Sequence, residues 1–532
     1  MILARVGARA CCISALATAA LFVGTVAADG PDAAIVPNLP RERLDDPPAP
    51  AEVLARRAQS PGMIARLGAF VSVQVNVSAV GTNIVGDAAN EPSIAIDPTD
   101  PSKMAIGWRQ FDTITSNFRQ AGIAFSTDGG QTWTFPGVLD PGQFRSDPVL
   151  GSDAAGNFYY SSLSSLRSIE VFKSIDGGAT WGTPVSAFGG DKQWIAVDGT
   201  TGLGAGNVYQ IWNVQYSCCG GADFTRSSDG GASFDGPYAL PTPKMKWGTL
   251  DVGPDGTLYV AGTTLNQAGH VFGRSLVAQN AAANPTFDLM FGVNLGGAVN
   301  FATGPNPAGL LGQTWIAVDH SSGPTAGNIY VLQSVNPPGP DPLDVHFIRS
   351  EDGGFTWSAP VRVNDDPIGS NAWQWFGTMS VAPGGRIDVV WNDTRNSGVT
   401  NLSELFHSSS FDGGLTWEAN VAVSPMFDSF VGWPSQNKLG DYYHMISDDA
   451  GASLAYAATF NGEQDVYFLR IPADCSVAAP GATDCNSNGI ADACDIADCL
   501  PNDVACADCN GNGLPDACDL PPLNPLGEDC NA

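Results

Sequence analysis

Apolar and polar residues alternate from Ala69 to Ser78 (AFVSVQVNVS), the period of a β-strand with one buried face. Short runs of this kind continue to about Ile471, separated by clusters of Gly, Pro, Asn and Asp that punctuate turns. Residues 29–68, rich in Pro, Ala and Arg, lack the alternation and read as a linker or arm. The pattern predicts an all-β body over residues 69–472.

Two patterns repeat within that body. An octapeptide occurs five times: STDGGQTW from Ser126, SIDGGATW from Ser174, SSDGGASF from Ser227, SEDGGFTW from Ser350 and SFDGGLTW from Ser410. The starts lie 48, 53, 123 and 60 residues apart, so the long interval should hold a degenerate copy, and Arg274 to Phe287 lies where it belongs. The second pattern, two short strands around a turn, runs from PSIAIDPTDPSKMAIGW to MISDDAGASLAYAA and gives seven units. A unit of three or four strands cannot bury both faces alone; radial stacking solves that while protecting sheet edges. The last unit has no box of its own, and the strand at Ala69 to Ser78 is available to complete it and close a ring. The octapeptide has a structural explanation. Ser and Asp bond turn backbone groups, paired glycines permit positive φ, and Trp or Phe packs the turn onto its blade. Asp128, Asp176, Asp229, Asp352 and Asp412 therefore read as turn residues and not as catalysts.

Five copies of S-x-D-G-G-x-[TS]-[WF] resemble the Asp-box, or BNR, repeat of sialidases and related propellers, over roughly residues 88 to 471. The expected fold is thus a β-propeller of six or seven blades, seven by repeat count and six by this resemblance. Sialidases release terminal sialic acid with a tyrosine nucleophile assisted by Glu, an Asp acid/base, and three arginines that grip the substrate carboxylate. Carried over by position, their Arg-Ile-Pro motif falls on Asn90, Glu91 and Pro92, without its arginine. Arg109 and Asp112 follow the strand KMAIGW, Arg395 stands in WNDTRNSG, and GDYYHMISDDAGASLAYA offers Tyr442 or Tyr443 as nucleophile. Lys438 stands where a third arginine is wanted, and no partner Glu is evident. The resemblance implies Tyr442, Tyr443 and Asp112 as catalytic candidates and Arg109 and Arg395 as substrate-binding ones. Lys cannot replace the bidentate fork of Arg, and a tyrosine with a pKa of about 10 needs an adjacent base to attack. The partial set supports the fold more than the activity. Two readings follow: an exo-glycosidase of sialidase type acting on extracellular glycans, and a non-catalytic propeller that binds glycan or protein.

Eight of the twelve cysteines lie between Cys475 and Cys530. There DCNSNGIADACD from Asp484 and DCNGNGLPDACD from Asp508 repeat at 24 residues, with oxygen side chains at loop positions 1, 3, 5, 9 and 12 and Gly at 6. That is an EF-hand-like calcium loop. Its expected ligands are Asp484, Asn486, Asn488, Asp492 and Asp495, then Asp508, Asn510, Asn512, Asp516 and Asp519, with the carbonyls of Ile490 and Leu514 at position 7. The pattern resembles dockerin and thrombospondin type-3 repeats. Residues 473–532 are expected to form a disulfide-rich tail that folds on structural calcium and is a candidate attachment point for a protein partner. The five histidines show no metal-ligand spacing. For the adjacent Cys218 and Cys219, a bridge within their loop and a vicinal disulfide are both open.

Arg5 and Arg9 precede an apolar run from Ile13 to Val26 and the small pair Ala27 and Ala28, which reads as a secretory signal over residues 1–28. No later stretch is apolar enough to span a bilayer. Removing that segment moves the formal charge from -30 to about -32, which argues against nucleic acid as a partner. The chain is expected to be secreted, extracellular or periplasmic, with extracellular glycans or glycoproteins as partners.

Overall fold

The computed structural model describes residues 46–50 and 58–473, so the signal-like segment and the calcium ligands Asp484 to Asp519 lie outside the described residues. Seven inner strands surround one axis: Ala88–Ile96, Ser146–Ser152, Trp194–Val197, Met245–Val252, Trp315–Val318, Gln374–Val381 and His444–Asp448. Each packs beside the next and the last returns to the first, and each begins an antiparallel sheet running outward. The molecule is a seven-bladed propeller, as the repeat count predicts; the six blades of the sialidase resemblance do not hold.

Blade 7 is built from both ends of the body. Gly451–Ala458 and Asp465–Pro472 follow its inner strand, and its fourth strand is Phe70–Gln74, with Ser72 opposite Leu469 and Gln74 opposite Tyr467. Ordered structure starts earlier than residue 69. Ile64–Leu67 adds a fifth strand through a turn at Gly68, and Gln59–Pro61 pairs with Thr82–Ile84. These strands of three and four residues are too short to display a period of two in sequence.

Each Asp-box closes the same hydrogen-bonded turn. The Ser hydroxyl donates to the Asp carboxylate at 2.7–2.9 Å and accepts the N–H of the second glycine. The same Asp takes the N–H and hydroxyl of the Thr or Ser four residues on. The second glycine also presses on the preceding blade. A Cβ there would lie 2.2 Å from Phe468 at Gly130, 2.8 Å from Tyr159 at Gly231, 2.3 Å from Phe272 at Gly354 and 2.2 Å from Phe347 at Gly414. The box is therefore an inter-blade joint. Where it has degenerated, in the turn after Arg274, Arg226 of blade 3 makes the joint, donating to the carbonyls of Ala278, Asn280 and Ala283 at 2.8, 2.9 and 3.1 Å.

The axial edge of a sheet would leave N–H groups unpaired, at a desolvation penalty if buried. Side chains of the preceding blade accept several of them. Leu150 N donates to Ser93 Oγ (2.8 Å), Ile316 N to Thr249 Oγ1 (2.9 Å), Val318 N to Asp251 Oδ2 (2.8 Å) and Ser447 N to Ser380 Oγ (2.8 Å).

Candidate functional site

Four inner strands begin with a bulge, at Asn90 to Ser93, Ser146 to Val149, Lys246 to Thr249 and Trp375 to Thr378. Each bulge holds one residue in the left-handed region: Glu91 at φ 51°, Asp147 at 48°, Trp247 at 52° and Phe376 at 60°. Lys192 in blade 3, two residues before its strand, has φ 54°. Such conformations of non-glycine residues cost about 1–3 kcal/mol each and persist where surrounding contacts fix them. Here they carry the first side chain of each strand to one end of the axis.

At that end blades 1, 2, 3 and 7 meet in a closed ion cluster. Arg109 Nη2 lies 3.1 Å from Glu91 Oε1, and Lys192 Nζ lies 3.4 Å from Glu91, 3.2 Å from Asp147 and 2.5 Å from Asp441. Lys438 Nζ reaches Asp441 at 2.8 Å and Glu91 at 3.5 Å. Three acids face three cations, all deeply buried. Burial raises Glu91 to about 8 against the pull of Arg109 and Lys192, so this carboxyl holds its proton at neutral pH. Burial acts upward on Asp147 and Asp441 as well, but Lys192 and its cationic neighbours outweigh it and hold both well below the usual carboxylate range.

Tyr442 borders the cluster. Its hydroxyl donates to Pro148 O at 2.8 Å, and burial, reinforced by Glu91 and Asp147, holds it well above the ordinary phenol pKa. Beneath it the rings of Trp194, Trp315 and His444 meet across the axis with centroids 5.0–5.8 Å apart. Blades 3, 5 and 7 are not neighbours, so these rings plug the channel. Beyond them lies an axial cavity of about 290 Å³, lined by Ser152, Val197, Asp251, Val318, Ser380 and Ile446 among others.

The cluster is roofed. A hairpin, Phe301–Thr303 and Asn306–Leu310, connects blades 4 and 5, and Asn306 bonds Gly440 O (2.8 Å) and Leu439 N (2.9 Å). Leu310 N donates to Asp441 Oδ1 at 2.8 Å, so the same carboxylate serves roof and cluster. A Cβ on Gly309 would lie 2.7 Å from that oxygen.

Of the residues nominated from sequence, Arg109 and Tyr442 come together here. The other three sit elsewhere. Arg395 spans Asp393 (2.8 Å), Asp365 (2.5 Å) and Asp366 (3.6 Å) and lies 4.4 Å over the Phe406 ring. Tyr443 donates to Ala457 O at 2.8 Å in the core between blades 6 and 7. Asp112 accepts from Gln120 Nε2 at 3.0 Å on the loop after the Arg109 strand. Sequence reasoning missed the roles of Glu91, Asp147, Lys192 and Asp441. Their signal was positional: NEPS, SDPV and DKQW put a charged residue at the same point of three successive units. The sulfurs of Cys218 and Cys219 are joined to each other in the blade 3 loop. Among the described residues no group of three or more His, Cys, Asp or Glu is placed to hold a metal ion, and no helix is long and apolar enough to cross a membrane.

No family model matches the chain, and no curated protein matches it. Solved structures do. A protein of unknown function from Dyadobacter fermentans is 15% identical, covering 75% of this chain and 97% of its own, with a TM-score of 0.42. YCF48 bound to a D1 peptide is 11% identical over 78% and 98%, TM-score 0.42, and a Hadza microbial sialidase is 13% identical over 73% and 66%, TM-score 0.38. These likenesses are loose, and nothing about this chain's activity rests on them.

Proposed function

We propose that this chain is a secreted propeller that binds extracellular glycan or protein without cleaving it. One observation carries the reading: the groups that would grip and attack a sialoside are already engaged with the protein itself. Arg109 is fully buried against Glu91, Arg395 is committed to three carboxylates, and Tyr442 gives its proton to a backbone carbonyl. A nucleophilic tyrosine needs a lowered pKa and an open approach, and Tyr442 has a raised one beneath a roof. The tail is proposed to hold structural calcium and to tether the propeller.

The convergence of Tyr442 with Glu91, Asp147 and Arg109 favours a second reading, a hydrolase whose roof opens on substrate. A fluorogenic sialoside and a glycan array, applied to purified protein with calcium, separate the two. Binding on the array with no release of sialic acid is expected. Hydrolysis abolished by Tyr442→Phe would install the second reading instead.

A further inference from the structure

Lys246 breaks the rule the other buried lysines obey. Lys192 and Lys438 each face at least two carboxylates, whereas Lys246, 2% exposed, has only the face of Trp247, with Nζ 4.1 Å from the ring centroid. An ammonium buried without an anion is several kcal/mol less stable than one in water, of order the penalties that pairing normally offsets.

A second donor without an acceptor lies on the neighbouring segment. Gln313, 2% exposed, has a buried Nε2 with no hydrogen-bond partner. The two segments run side by side, because Gly248 pairs in parallel with Thr314 and Thr314 N donates to Trp247 O at 2.9 Å. Trp247 packs with Phe301 of the roof hairpin at 5.4 Å, and with Val299 and Leu310, as an apolar wall.

We propose that Lys246 and Gln313 frame a binding site for a small oxyanion at the axial end of blades 4 and 5, with Trp247 as its wall. An oxyanion accepts from both orphaned donors and neutralises the ammonium, which water cannot do. The inference is independent of the glycan reading. Burial alone lowers the Lys246 amine to about 8, with no acidic side chain pulling it back. Anion affinity should therefore fall as pH rises through about 8.

The test compares acetate with acetamide, its uncharged isostere, at equal sodium concentration with chloride as the balancing anion. Wild-type protein should unfold about 2 °C higher in acetate near tenfold saturation, with no shift in acetamide, and Lys246→Met should abolish the difference. Sulfate in a further arm distinguishes a planar carboxylate site from a tetrahedral one. Should Lys246→Met fail to fold, amidination of Lys246 in wild type, read by peptide mass, serves instead; acetate should slow it several-fold and acetamide should not. Equal effects of acetate and acetamide, or an acetate effect that survives Lys246→Met, would overturn the site and leave an interior water there.

Discussion

A carboxyl surrounded by three cations ordinarily ionises, yet Glu91 stays protonated because burial outweighs Arg109, Lys192 and Lys438 and because Asp441 already draws on the same charges. The folded state then binds a proton that the unfolded chain releases near pH 4.5, so this contribution to stability is present at low pH and is lost as pH rises to about 8. Glu91→Gln keeps the neutral form and should flatten that decline by about 1–3 kcal/mol between pH 5 and 8 in denaturant titrations. His270 acts in the opposite direction. Burial, aided by His346, depresses it to about 4, and neither ring nitrogen has a hydrogen-bond partner. Its contribution is full above pH 6.5 and is lost as pH falls through about 4. His270→Leu should shift the acid-unfolding midpoint to lower pH; an unmoved midpoint would place the acid sensitivity elsewhere.

Within the blade, the two glycines of a box do different jobs. Both Gly129 and Gly130 have positive φ, but a Cβ on Gly129 meets nothing within 4 Å, whereas one on Gly130 strikes the ring of Phe468. Gly129→Ala should therefore cost about 1 kcal/mol of backbone strain, and Gly130→Ala at least about 2 kcal/mol more through overpacking of the blade 1 to blade 7 joint, measured by denaturant unfolding. Much of this element was legible in advance, since hydrogen-bonding Ser and Asp, paired glycines and a packing aromatic all lie within eight residues. The axial cluster was not legible in the same way. Glu91, Asp147 and Lys192 occupy equivalent points of their units but differ in chemistry, so no repeated letter marks them. Arg109 and Tyr442 were found only through a family likeness, which nominated Arg395, Asp112 and Tyr443 with equal weight. Short strands such as Ile64–Leu67 escaped because four residues show too little of a period.

On the scale of the ring, seven like units stack through equivalent joints, but one joint is unlike the rest: blade 7 is held by the strand Phe70–Gln74 from the far end of the sequence. Removing residues 1–74 should leave the Asp465–Pro472 edge open, broaden the unfolding transition and promote self-association, as seen by scattering and calorimetry. A synthetic peptide covering residues 62–78 should restore a single sharp transition, and its failure to do so would show that closure is dispensable. Ser72 and Leu469 are paired although nearly four hundred positions separate them. The opening strand therefore has no partner until synthesis is almost finished, and the slowest contact in the molecule is also its last. That order of events leaves the growing chain threadable for nearly its whole length, a property that suits a protein passing unfolded through an export channel and locking shut on the other side.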